Sequence, residues 1–211
     1  MPIEKKEEIG GAISAAMALE VDLKERVRAL MVAALSRRPL DRKEVREVLR
    51  QAFDGLGTGL SQRGAQVGEA AGDAVRGLDE ALGSTVHAMQ LTLEEAWGQG
   101  RNFAAEDLGG TVDELKGLEE DLLLTLKESV DKGQGVAREV LSGLHDHLRR
   151  NGTDTGSSVK AVLDALANRV VAAAHGAGGD LKSDAVEGRE RLKAVASGIL
   201  RGLADGLDKP R

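Results

Sequence analysis

The amino-acid sequence predicts an all-α protein: an elongated bundle of three long amphipathic helices with an eleven-residue period, preceded by a short two-helix head. Three observations carry that expectation. Apolar residues recur three times in every eleven over most of the chain. Phe53, Trp97 and Phe103 are the only aromatic residues among 211, which disfavours sandwiches and barrels built on aromatic and β-branched side chains. With 41% hydrophobic residues and 27 glycines, a core has to be filled by Leu, Val and Ala and by close backbone approach at Gly.

The head, residues 1–38, reads as two helices at about 3–18 and 21–37, with Ile9, Ile13, Ala16 and Met17 on one face of the first. Leu23, Val27, Leu30, Met31 and Leu35 line one face of the second. Pro39 then interrupts the helical pattern, and Asp41 with Glu44 supplies an N-cap and its partner three residues on, opening the body at 41–208. Within the body, Leu108-Gly109-Gly110 is a stop signal followed by a capping-box pattern at Thr111–Glu114. Asn151–Gly156 is a second cluster of caps and glycines. Three rods are therefore predicted, at about 41–107, 111–150 and 156–208.

Each rod carries one apolar stripe. Steps of four, three and four give Leu60, Gly64, Val67, Ala71, Val75, Leu78, Leu82, Val86, Met89, Leu93 and Trp97 in the first, with no charged residue among them. The same steps give Leu115, Leu118, Leu122, Leu126, Ser129, Gly133, Ala137, Val140, Leu144 and Leu148 in the second. The third begins Val159, Leu163, Leu166, Val170 and ends Ile199, Leu203, Leu207. A spacing of about 3.67 residues per turn keeps such a stripe on one face of a nearly straight helix, where a heptad seam would force a left-handed supercoil.

Glycine marks the expected weak points and contacts. Gly55, Gly57 and Gly59 together cost roughly 3 kcal/mol of helix propensity against alanine, so a kink or break is expected there. At 176–179 a continuous or kinked helix is favoured, with a hairpin as its rival. Gly64, Gly68 and Gly72, like Gly198, Gly202 and Gly206, recur every fourth residue and form two seams suited to close helix contact.

Chemistry is poorly represented. With no cysteine there are no disulfides, thiolate metal sites or thiol nucleophiles, and a reducing compartment is compatible. Residues three before the histidines are Ser84, Ser142, Leu144 and Ala172, none a carboxylate, so the Glu-x-x-His pairing of helical metal sites is not met and no metal is expected. Ser129–Lys132 and Ser157–Lys160 match Ser-x-x-Lys without its companion motifs. No phosphate-binding loop is present, and neither a catalytic residue nor a cofactor is expected. Glu94, Glu95, Glu119, Glu120 and Asp121 read as charged flanks of the stripes.

Charge is unevenly spread: residues 51–131 carry 5 basic and 16 acidic side chains, within a chain of net charge -6. So acidic a centre repels phosphate backbones, and nucleic acid is not expected as a partner. No apolar run is long enough to span a membrane, and the charged Met1–Glu8 has no signal-peptide core, so a cytoplasmic location is expected.

The stretches Leu91–Gly98, Asp113–Glu120 and Ala196–Leu203 resemble an uncharacterised all-helical bacterial protein family, a likeness covering most of the chain after about residue 20. That resemblance implies a helical fold and brings no activity or site. In composition and period the chain is also similar to phasins, which coat storage granules, to eleven-residue-repeat apolipoproteins and to desiccation-protective helical proteins.

The expected function is a non-enzymatic interaction or scaffold protein that forms a homo-oligomer or binds a helical partner. Its expected interaction stripe is Leu60, Val67, Val75, Leu78, Leu82, Val86, Met89, Leu93 and Trp97. The alternative is a phasin-like coat that opens its bundle on a granule or lipid surface. A chain disordered until dried or bound is a third reading, which the many stripe leucines oppose.

Overall fold

The computed structural model describes residues 8–19, 22–38, 41–63, 67–98 and 105–176, and all regular structure among them is α-helical. The helices are α1 (Glu8–Met17), α2 (Leu23–Ser36), α3 (Arg42–Ser61), α4 (Val67–Gly98), α5 (Ala105–Lys132), α6 (Gly135–Asn151) and α7 (Asp154–Gly176). The all-α expectation holds, but three long rods are not what forms.

The first expected rod is two helices. Asp41 starts α3 as expected: its carboxylate accepts the Glu44 backbone N–H at 2.9 Å, while the Glu44 carboxylate turns to Arg38 at 3.3 Å. No break occurs at Gly55–Gly59, because α3 runs on to Ser61 and the interruption falls after it. The cost of glycine in the helix is offset by close packing. A Cβ at Gly55 would fall 2.7 Å from the Gly10 Cα, and one at Gly59 would strike Met17. The glycines are thus where α1 lies against α3.

The second rod is also divided. Leu108-Gly109-Gly110 does not stop a helix, since α5 begins at Ala105 and passes through it. The stop comes instead at Gly133 and Gln134, which separate α5 from α6. The Gly133 N–H reaches back to the Ser129 carbonyl at 2.9 Å, and Gly135 adopts a φ of 55°, open to glycine and strained for other residues. The apolar steps run through this break undisturbed, which is why periodicity alone missed it. At the next expected turn, Gly152 closes α6 at φ 83° with its N–H on the Leu148 carbonyl, and α7 starts at Asp154. The expected course beyond Gly176, including the 176–179 alternatives, lies outside the described residues.

A single cluster of buried side chains runs through all of these helices. Its axis is α4, with 32 residues about 48 Å long at 1.5 Å per residue. Small residues let neighbours come close on several sides of it: Ala70, Ala71, Ala74, Ala81 and Ala88 are buried. A Cβ at Gly77 would strike the α2 backbone at Lys24, and one at Gly83 would lie 3.2 Å from the Ser158 hydroxyl of α7. Among the described residues bulk comes from aliphatic side chains and Phe53, with Phe53, Ile13, Met17, Met31, Leu49, Leu78 and Leu122 fully enclosed.

Candidate functional site

The expected interaction stripe is occupied by the protein itself. Leu60 ends α3, and Val67, Val75, Leu78, Leu82, Val86, Met89 and Leu93 line α4, every one of them buried. The Trp97 side chain lies outside the described residues. A stripe read as one face is in fact part of a helix buried on several sides, as Thr85 and Thr92 show: both are buried, donating to carbonyls one turn back at 3.0 and 2.8 Å.

The expected glycine seams are placed differently from the contacts they were expected to make. A Cβ at Gly68 would meet nothing within 4 Å, and one at Gly72 would meet only Arg76 of its own helix, at 3.9 Å. Close approach is made instead at Gly10, Gly55, Gly59 and Gly77, where the facing helix supplies backbone or Cβ atoms. Gly64, Gly198, Gly202 and Gly206 lie outside the described residues.

Among the described residues, polar side chains meet in the interior at two centres. The first joins α4 and α5 to the start of α7. Asp79, buried in the middle of α4, accepts the Asp154 N–H at 2.8 Å, the Thr155 N–H at 2.9 Å and the Thr155 hydroxyl at 2.7 Å. Thr153 accepts the Gly156 N–H at 2.8 Å and donates its hydroxyl to Glu119 of α5 at 2.7 Å. The free N–H groups of the first turn of α7 are therefore all satisfied from within the fold. A Cβ at Gly156 would displace the Glu119 carboxylate from this position. Burial, and then the neighbouring charges of Asp79 and Glu80, push the Asp154 carboxyl above its usual range, with Lys24 opposing. Lys24 is itself raised by its hydrogen bond and ion pair with Glu80, at 3.0 Å.

Asp79 was missed by periodicity although a signal exists. It stands four residues after Val75 and three before Leu82, so a helix carries it on the same face as two core positions.

The second centre is the Asp121 carboxylate of α5, which is completely buried and held by two arginines one turn apart on α3. Arg42 spans it with Nε–Oδ2 at 2.7 Å and Nη2–Oδ1 at 3.0 Å, and Arg46 donates to Oδ1 through both Nε and Nη2. Arg42 also reaches Glu120 at 2.7 Å, and Gly117 leaves the space its guanidinium fills. The acidic run Glu119-Glu120-Asp121 is thus more than a solvated flank: Glu119 ties α5 to Thr153 at the start of α7, and Glu120 and Asp121 tie it to α3. Beside Arg42, the crevice lined by Val45, Thr85, Met89, Glu114 and Leu118 has room for about one water molecule.

Other motif residues also have partners within the fold. The Ser129 hydroxyl faces the Phe53 carbonyl at 3.5 Å and Lys132 pairs with Asp54 at 2.9 Å, so both ends of that Ser-x-x-Lys pattern connect α5 to α3. His145 lies 3.5 Å from the neighbouring Asp146, and His147 contacts Asn151. Among the described residues no group of three or more His, Asp or Glu is placed to hold a metal ion. Nor is any helix among them long and apolar enough to cross a membrane.

Helix α6 carries apolar residues that are incompletely enclosed. Val136, Ala137, Val140, Leu141, Leu144 and Leu148 recur at helical spacing, yet only Leu141 is buried. Ala137, Val140, Leu144 and Leu148 are half-buried and packed against the core, and Val136 is 61% exposed. Arg138, Glu139, Asp146 and Arg149 are exposed on the same helix.

The geometry defines an all-α bundle with a polar-clamped interior and a half-open amphipathic helix. The chain belongs to a family of unknown function, DUF6781, whose model matches residues 2–209. No curated protein and no solved structure matches it.

Proposed function

We propose that this chain is a non-enzymatic helical interaction protein that self-associates, and that α6 is the surface through which it does so. The observation that supports the reading is the state of α6, where Val136 is 61% exposed and Ala137, Val140, Leu144 and Leu148 pack against the core while remaining only half-buried. Further burial of such a face is favourable by about 25 cal/mol per Å² of apolar area. A second copy is a suitable cover, because a two-fold contact sets the same patch against itself. Both charge signs flank the patch, in Arg138, Arg149, Glu139 and Asp146, so antiparallel pairing of two α6 helices can place opposite charges together.

The reading departs from the sequence expectation in one respect. The stripe on α4 serves the interior, and α6 serves the partner. A coat on a hydrophobic granule remains the second class of function, but spreading α4 on a surface would first expose Leu78, Leu82 and Val86, at about 2 kcal/mol for each side chain taken out of the core. Sedimentation velocity of the full chain over a range of concentrations tests the proposal. A dimer or larger assembly that dissociates in V136E/L148E, with helicity retained, is the expected result. A monomer at every concentration overturns it, and a monomer that co-floats with neutral lipid particles moves the assignment to the coat.

A further inference from the structure

The turn between α6 and α7 holds a reactive pair, Asn151 and Gly152, that neither the core nor the α6 face uses. Glycine leaves its own backbone nitrogen uncrowded, so an Asn-Gly step is where that nitrogen most readily reaches the preceding side-chain amide. Asn102 and Asn168, the other asparagines of the chain, precede Phe103 and Arg169 instead. Asn151 is exposed, ends α6 and is followed by Gly152 at φ 83° and ψ 176°. The Gly152 N–H donates to the Leu148 carbonyl at 2.8 Å. The Asn151 side chain lies back over the last turn, with Nδ2 donating to the His147 carbonyl at 3.1 Å. A carbonyl oxygen only accepts, so this bond fixes which end of the amide is nitrogen. The same Nδ2 lies 3.0 Å from Nδ1 and 3.3 Å from Nε2 of the His147 ring.

We propose that Asn151 is a self-modification site, converted to aspartate and isoaspartate by the Gly152 backbone nitrogen with help from the His147 imidazole. The Gly152 nitrogen attacks the Asn151 side-chain carbonyl carbon, and the new C–N bond closes a succinimide ring. The Cγ–Nδ2 bond breaks, its electron pair leaves with Nδ2, and the proton lost by the Gly152 nitrogen completes the departing ammonia. His147, already beside Nδ2, is the group placed to deliver that proton. Water then opens the ring at either carbonyl, leaving a carboxylate on an ordinary backbone or on one lengthened by a methylene. The Gly152 N–H has to leave the Leu148 carbonyl first, so the fraying common to helix ends sets the pace. The product puts a negative charge at the C-terminus of α6, where the helix dipole disfavours it, and makes a chain of net charge -6 one unit more negative. Isoaspartate also lengthens the backbone just ahead of Thr153, which caps α7 at the Gly156 N–H and reaches Glu119. This chemistry takes place within one chain and does not depend on self-association through α6.

Peptide mapping by mass spectrometry tests the proposal on the full chain, held for weeks in warm neutral buffer, with N151D as the marker for the aspartate product. Wild type is expected to gain aspartate and isoaspartate at residue 151 ahead of Asn102 and Asn168. H147A is expected to convert about tenfold more slowly, as loss of a positioned proton donor implies. Alanine is the better helix former, so the substitution does not loosen the last turn, and circular dichroism checks that helicity is kept. Free imidazole added to the buffer is expected to speed H147A more than wild type, a rescue that a merely structural histidine would not show. Asn151 that stays intact while Asn102 or Asn168 converts, or that stays intact throughout, overturns the proposal. Conversion at the same rate in H147A and wild type overturns it as well.

Discussion

The same substitution, glycine to alanine inside a helix, should change stability in opposite directions at Gly55 and Gly143. Both lie within helices and neither has a positive φ. Alanine therefore gains about 1 kcal/mol of helix propensity at each. At Gly143 nothing lies within 4 Å of the new Cβ, so that gain stands and G143A is expected to be stabilised by about 1 kcal/mol. At Gly55 the new Cβ falls 2.7 Å from both the carbonyl carbon and the Cα of Gly10. Backbone cannot yield by changing rotamer, so α1 has to move away from α3 and disturb the packing of Ile9 and Ile13. Overpacking of this kind costs about 1–3 kcal/mol, and the upper end applies to a backbone obstacle. Set against the propensity gain, G55A should be destabilised by about 2 kcal/mol. Urea titration followed by circular dichroism at constant slope is the assay. With a slope of about 2–3 kcal/mol per M, G55A should unfold at roughly 0.7–1 M less urea and G143A at roughly 0.3–0.5 M more. A G55A midpoint at or above wild type would refute the backbone contact, and a fall in G143A would refute the open position assigned to that residue.

Further outcomes follow from the polar centres. D121A should cost about 2 kcal/mol by urea titration, because it removes the charge-assisted hydrogen bonds of Arg42 and Arg46, whose part-exposed guanidinium groups regain water and, for Arg42, keep Glu120. D154N should be more stable than wild type at neutral pH. The Asp154 carboxyl is raised on folding, so folding favours its protonated form: that contribution is present at low pH and lost as the pH rises through the unfolded and then the folded value. The advantage of D154N in thermal melts should therefore shrink as pH falls toward about 4, and an advantage that grows on acidification would contradict the raised value.

The comparison of sequence with structure turns on particular residues. Ile9, Ile13 and Met17, Val27 and Leu35, Leu78 and Val86, and Leu115 and Leu122 are all buried as their spacing indicates, because the face a residue occupies on a helix follows from its position in the chain. The cap at Asp41 and the turn at Gly152 were legible for the same local reason. The break at Gly133 was not, since a chain can stop and restart without disturbing the count of apolar residues.

The sequence by itself determined that the chain is helical, which faces are apolar, and that aliphatic and small residues would have to fill the interior. Only the tertiary structure decided which glycines meet a neighbouring helix: Gly55 and Gly77 do, while Gly68 faces open space, although all three look alike in the sequence. It also decided that Asp79 and Asp121 are interior groups serving helices about 75 residues away in the chain, and that the α4 stripe is covered by the protein's own helices. The reason is that propensity and period act within a few residues, whereas close approach, desolvation and hydrogen-bond partnership depend on what the rest of the chain brings alongside.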